Sequence, residues 1–116
     1  MTTIAAARTA LVTAVGAKDD YVDPPGCMVW SDGSDTRPTG KGSVIWRFRV
    51  MCYVGYKSDS AASDVALSAL VAAKTLILLG LVGWTVDGVS PAGTRQIAGG
   101  EHLTADIAVS TYVTLS

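Results

Sequence analysis

The sequence predicts an α+β fold: a single domain, residues 1–116, in the order α-β-β-α-β-β, with two helices packed on one face of a mostly antiparallel four-stranded sheet. Three observations carry this expectation. Two stretches place apolar residues at helical spacing, and two long runs alternate apolar and polar residues as half-buried strands do. Polar connections rich in Gly, Pro and Ser separate them. The length of 116 residues suits one domain, large enough to bury roughly two thirds of its unfolded surface.

The first helix is expected from about Thr3 to Val15. Ile4, Ala7, Leu11, Ala14 and Val15 form one stripe, and Arg8, Thr9 and Thr13 lie off it. Thr2 or Thr3 serves as N-cap and Gly16 as the C′ residue. The segment KDDYVDPPG, with two prolines and a glycine, reads as a loop.

The first strand is expected over about Cys27–Ser31 and the second over about Ser43–Val54. Between them DGSDTRPTGKG is longer than the usual two-to-five-residue hairpin loop and reads as a loop excursion. In the second strand Val44, Trp46, Phe48, Val50, Cys52 and Val54 share one face, which is wholly apolar and must look at the core. Ile45, Arg47, Arg49, Met51 and Tyr53 share the other. A hairpin register with Trp30 opposite Trp46 and Met28 opposite Phe48 puts all four on the core face. It also places Cys27 near Arg49 and away from Cys52, so two free buried thiols are expected rather than a disulfide.

The second helix follows KSDS, capped by Asp59 or Ser60, with Asp64 in its first turn. Leu67, Leu70, Val71, Lys74 and Leu78 mark one face; Val65, Ala69, Ala72, Leu76 and Leu79 mark another. A helix apolar nearly all round is buried on more than one side. The expectation is that one side packs on the sheet and part of the other on a neighbouring subunit. The third strand is expected over about Leu81–Val89, and SPAGTRQIAGGEH as a second long loop. The fourth runs from Leu103 to Leu115, alternating without a break.

Composition narrows the function. The net charge of -1 argues against a general nucleic-acid binder. Charged residues are only 16%, below the roughly 25% of ordinary domains, which favours oligomerisation. The stretch Val65 to Trp84 approaches membrane-spanning length, but Lys74 at its centre and the stop at Gly80 favour a buried helix without a membrane role. The N-terminus lacks the basic segment of a secretory signal, and Arg8 interrupts its apolar run.

Motifs for catalysis are missing: no phosphate-binding glycine loop, no nucleophile elbow and no metal-ligand spacing occur. His102 beside Glu101 reads as an exposed loop histidine. Asp19, Asp20 and Asp23 lack calcium-loop spacing and read as a solvated acidic turn. Asp87 has no carboxylate near it in sequence. No enzyme activity, cofactor or metal is expected.

What remains is surface. Arg47 and Arg49 lie on the face opposite the core, among Ile45, Met51 and Tyr53, a mixture typical of interfaces. Arg37 and Lys41 in the first long loop, Lys57 at the strand–helix corner and Arg95 in the second loop add further cations. Arg47 and Arg49 are expected in or beside a subunit contact, facing a carboxylate such as Asp106 or Asp64 of a neighbour.

The layout resembles a known family. A short Ala-rich helix comes first, then a strand pair with a long polar loop, whose second strand leads into SDSAASDVALSALVAAKTL, and finally a hairpin with a long alternating strand. This is similar to the tail terminator proteins of long-tailed phages, also called minor tail proteins, over nearly the whole chain, with no short motif among its marks. The resemblance implies a hexameric ring in the virion, assembled in the host cytoplasm, that caps the head-proximal end of the tail tube and stops its polymerisation. Implied partners are further copies of the chain, the major tail tube protein and the head-completion or connector protein, with the tape measure protein as a further candidate. DNA only passes through the lumen. The alternatives are another neck protein, such as a head-completion or tail-completion subunit, and a small oligomeric α+β ligand-binding domain.

Overall fold

The computed structural model describes residues 3–17, 25–38, 43–55, 60–97 and 100–114. Among these, two helices and four strands form one α+β domain with a wholly antiparallel sheet. Helix α1 spans Ile4–Val15; the Thr3 hydroxyl caps it by accepting from the Ala6 amide at 3.2 Å. Gly16 ends it in the left-handed region at φ 68°, where a side chain would be strained. Strand β1 (Gly26–Pro38) pairs with β2 (Ser43–Gly55), helix α2 follows (Ser60–Leu79), and β3 (Trp84–Ile97) pairs with β4 (Gly100–Thr114).

The strand order is β1-β2-β4-β3, so β1 and β3 are the edges. The β2–β4 register runs from Ser43 opposite Thr114 to Gly55 opposite His102. Pro38 and Ser43 therefore lie at one end of the sheet, and Ile97 and Gly100 at the other. The longest dimension, 51 Å, is the length of the strands: the 15 residues of β4 at about 3.3 Å each.

The core lies between the helices and one face of the sheet. Leu11 and Val15 of α1 and Leu67 and Leu78 of α2 meet Phe48, Val50 and Cys52 of β2 and Ile107 and Val109 of β4, all nearly or wholly excluded from solvent. Phe48 packs against Trp84 with ring centroids 5.7 Å apart. The N-terminal end is tied to the sheet by a parallel bridge from Thr3 to Thr114.

Several expectations need correction. Most of the two long loops is strand: residues 32–38 extend β1 and residues 90–97 extend β3. Backbone pairing does not need apolar side chains, and each extension contains a register shift, between Asp32 and Arg37 and between Ser90 and Gly93. Pro38 sits at the very end of an edge strand, where a missing donor is tolerated.

The hairpin register also differs. Trp30 stands opposite Arg49, Met28 opposite Met51 and Cys27 opposite Cys52. Cys27 and Val29 face the core, and Trp30 faces away from it, so Trp30 and Trp46 do not share a face. An odd slip moves every side chain of a strand to the other side. Both cysteines remain free thiols, but not because they are far apart. Asp64 lies one residue beyond the first turn of α2, which begins at Ser60; the proposed cap at Asp59 is outside the described residues.

Candidate subunit interface

The sheet face turned away from the helices carries the arginines, and alternation along β2 puts Arg47 and Arg49 there. The Arg49 Nε–H donates to Asp32 Oδ2 at 2.8 Å and its Nη1 to Asp106 Oδ2 at 3.2 Å. One guanidinium on β2 thus joins carboxylates from β1 and β4 across three strands. Hydrogen bonding to Asp32 first, and to Asp106 next, raises the Arg49 pKa further and keeps it charged. Asp106 is 3% exposed, so removing this guanidinium would leave a carboxylate buried without its cation. Arg47 approaches Asp87 at 3.9 Å, with about a third of its side chain exposed, a looser and weaker contact. Asp87 reaches that face by ordinary alternation, since Trp84 and Val86 on either side of Thr85 pack on the core.

This arrangement changes the reading of the expected interface residues. The carboxylate assigned to a neighbour's Asp106 is supplied from within the chain. Met51 (5% exposed) and Tyr53 (0%) are buried, so they present no surface to a partner. Ile45, Arg47 and Arg49 remain half-exposed. Asp64 is exposed on α2, far along the chain from this cluster. Arg37 and Arg95 lie within β1 and β3 by their backbone, opposite Ile45 and His102; their side chains, and all of Lys41 and Lys57, are outside the described residues. His102 is a buried strand residue rather than a loop histidine: it is 4% exposed, edge-on to the Tyr53 ring at 5.5 Å, with Nδ1 3.0 Å from the Gly100 carbonyl.

The second surface is α2. Leu67 and Leu78 are buried, Leu70, Val71 and Lys74 half-buried, and Val65 (71%), Leu76 (72%) and Leu79 (66%) largely exposed. Ala61, Ala69 and Ala72 lie on the same outward side. By length and hydropathy the window Ala61–Leu79 could cross a membrane, yet only 17% of it is buried in the chain. An open groove of about 660 Å³ runs between α2 and edge strand β3, lined mainly by apolar side chains such as Leu67, Val71, Leu76 and Val89, with Ser68, Thr75 and Ser90 among them. Lys74 does not relieve this apolar surface. It turns inward and donates to the Val15 carbonyl at 2.6 Å, neutralising the negative end of α1.

Beneath that helix end lie the two thiols. Cys27 donates to the same Val15 carbonyl at 3.7 Å. Burial pushes the Cys52 thiol up to about 12 and raises Cys27 as well, with Lys74 opposing both shifts. Thiols held protonated in this way are poor nucleophiles. No group of three or more His, Cys, Asp or Glu suited to a metal occurs among the described residues.

The residues that sequence reasoning missed are Asp32 and Asp87. Asp32 was assigned to a loop, and its place opposite Arg47 follows only from the observed register. Asp87 lies on β3 and meets Arg47 of β2 across β4, a neighbourhood that only the strand order reveals. No family model and no curated protein sequence matches the chain.

Proposed function

We propose that the chain is a structural subunit of a long-tailed phage: a tail terminator that forms a ring on the head-proximal end of the tail tube, stops its polymerisation and joins it to the head-completion or connector proteins. The observation that carries this reading is the bare apolar face of α2. A 116-residue subunit that leaves Val65, Leu76 and Leu79 two thirds or more exposed is built to be covered, and a ring covers one such face on every subunit.

Three further features support it. The α-β-β-α-β-β layout, taken as four strands with both helices on one side, is the layout the resemblance rests on. The sheet runs the 51 Å length of the subunit, suiting a part that touches the tube below and the connector above. The described residues offer thiols held protonated and arginines committed to internal carboxylates in place of reactive groups.

In this reading the ring is hexameric and DNA passes through its lumen without sequence-specific contact. Deleting the gene from the phage that encodes it tests the reading. The expected result is tail tubes of uncontrolled length beside unattached filled heads. Tails of normal length that fail only to join heads would favour the alternative, a head-completion subunit.

A further inference from the structure

We infer that the outward side of α2, with its groove against β3, is the seam at which a second copy of this chain docks. The inference deepens the ring reading and rests on it only for the closure of the assembly. Area sets the scale of the face. Val65, Leu76 and Leu79 on α2 and Val89 across the groove are each 48–72% exposed. Together they present on the order of 250 Å² of apolar side chain, at roughly 100 Å² for each one fully exposed. A standard interface buries about 800 Å² per partner, about 65% of it apolar at the core. These four side chains supply about half of that share from one subunit, and the exposed alanines and the groove add to it.

Charge decides what kind of partner fits. Within the described part of α2 the charges are Asp64 and Lys74, and Lys74 is turned inward to Val15. A helix that lies on a bilayer carries a basic flank, and a nucleic-acid site carries more; this face has neither, on a chain of net charge -1. An uncharged, aliphatic partner is required, and the groove beside another copy's β3 has that character, so that the outward side of one α2 meets the next copy's groove head-to-tail, as a ring demands. Ala61, Ala69 and Ala72 leave a shallow channel beside Val65 and Leu76, into which a neighbour's ridge of side chains can settle. The adjacent β3 is an edge strand, so the seam also shields an unpaired strand.

The test has two arms. In the first, sedimentation of the purified full chain is followed from micromolar to millimolar concentration for the wild type, Leu76→Glu and Leu79→Glu. Both side chains are exposed, so the dilute variants should melt as the wild type does, and each guards against a folding failure in the other. The seam predicts concentration-dependent association, weakened about a hundredfold by either variant. In the second arm, phage carrying Leu76→Glu is imaged, which covers a ring that nucleates only on its tube; the seam predicts tails without the ring.

Association or ring formation that survives both variants overturns the seam and leaves the ring reading standing. A closed dimer abolished by Leu76→Glu supports the seam and contradicts the ring. Binding of the wild type, but not Leu76→Glu, to vesicles of phosphatidylcholine and phosphatidylglycerol overturns the seam in favour of a membrane. A monomer at every concentration, with normal rings in variant phage, overturns the seam.

Discussion

Arg49 and Arg47 sit two residues apart on one strand face, yet the structure gives them different weights. Arg49→Ala leaves Asp106 buried without its guanidinium, and is expected to cost about 1–3 kcal/mol, the upper end being reduced by the partial exposure of Arg49. Arg47→Ala breaks a long, solvated contact and is expected to cost under about 1 kcal/mol. Urea denaturation of both variants checks this; equal losses would contradict it. A double Arg→Glu exchange is therefore a poor probe of assembly, because it destabilises the fold as well. The thiols give a second prediction. Their pKa values are raised in the folded state, so their contribution to stability is full below the ordinary thiol range near pH 9 and is lost as pH rises toward about 12. Between pH 9 and 10.5 under reducing conditions, stability should fall more steeply in the wild type than in Cys52→Ala, by a difference that grows toward about 1.4 kcal/mol per pH unit. Parallel curves would show that Cys52 ionises freely. At this scale the sequence was only partly readable. The alternation of β2 placed Arg47 and Arg49 on the non-core face, but their partners come from β1, β3 and β4, and only the register names them.

Elements were more legible where one periodicity ran long. The two faces of α2 could be drawn from spacing alone, and Leu67 and Leu78 are buried while Val65 and Leu76 are not. The same division predicts that Leu78→Ala costs about 2–5 kcal/mol, whereas Leu76→Ala changes the stability of the dilute subunit by no more than about 0.5 kcal/mol. Thermal melts of the two variants check this, and a large loss at Leu76 would mean that α2 packs the other way round. Leu70, half-buried, belongs between them. The first strand shows why the rest was hidden. Cys27, Met28, Val29 and Trp30 are apolar on both sides, so periodicity carries no phase, and weighting the tryptophan selects the wrong face. The strand extensions past Asp32 and Val89 are rich in Gly, Ser, Thr and Pro, residues that signal loops even where cross-strand hydrogen bonds hold them extended.

For the whole molecule, the α+β class and antiparallel sheet follow from patterns spread over the chain. What sequence could not supply is which apolar side chains stay uncovered. On the arginine face Met51 and Tyr53 are buried and the arginines pair within the subunit, while Ile45, Arg47 and Arg49 stay half-exposed. The apolar side of α2 is a surface left open among the described residues. The central claim is that many copies of this chain close into a ring between tail tube and head. Cryo-EM reconstruction of the head–tail joint of phage carrying this gene measures that most directly. The account predicts a single ring of this chain on the last tube layer, six subunits around the DNA channel, with the α2 of each against its neighbour. A joint resolved to side-chain detail that contains no ring of this chain would contradict it.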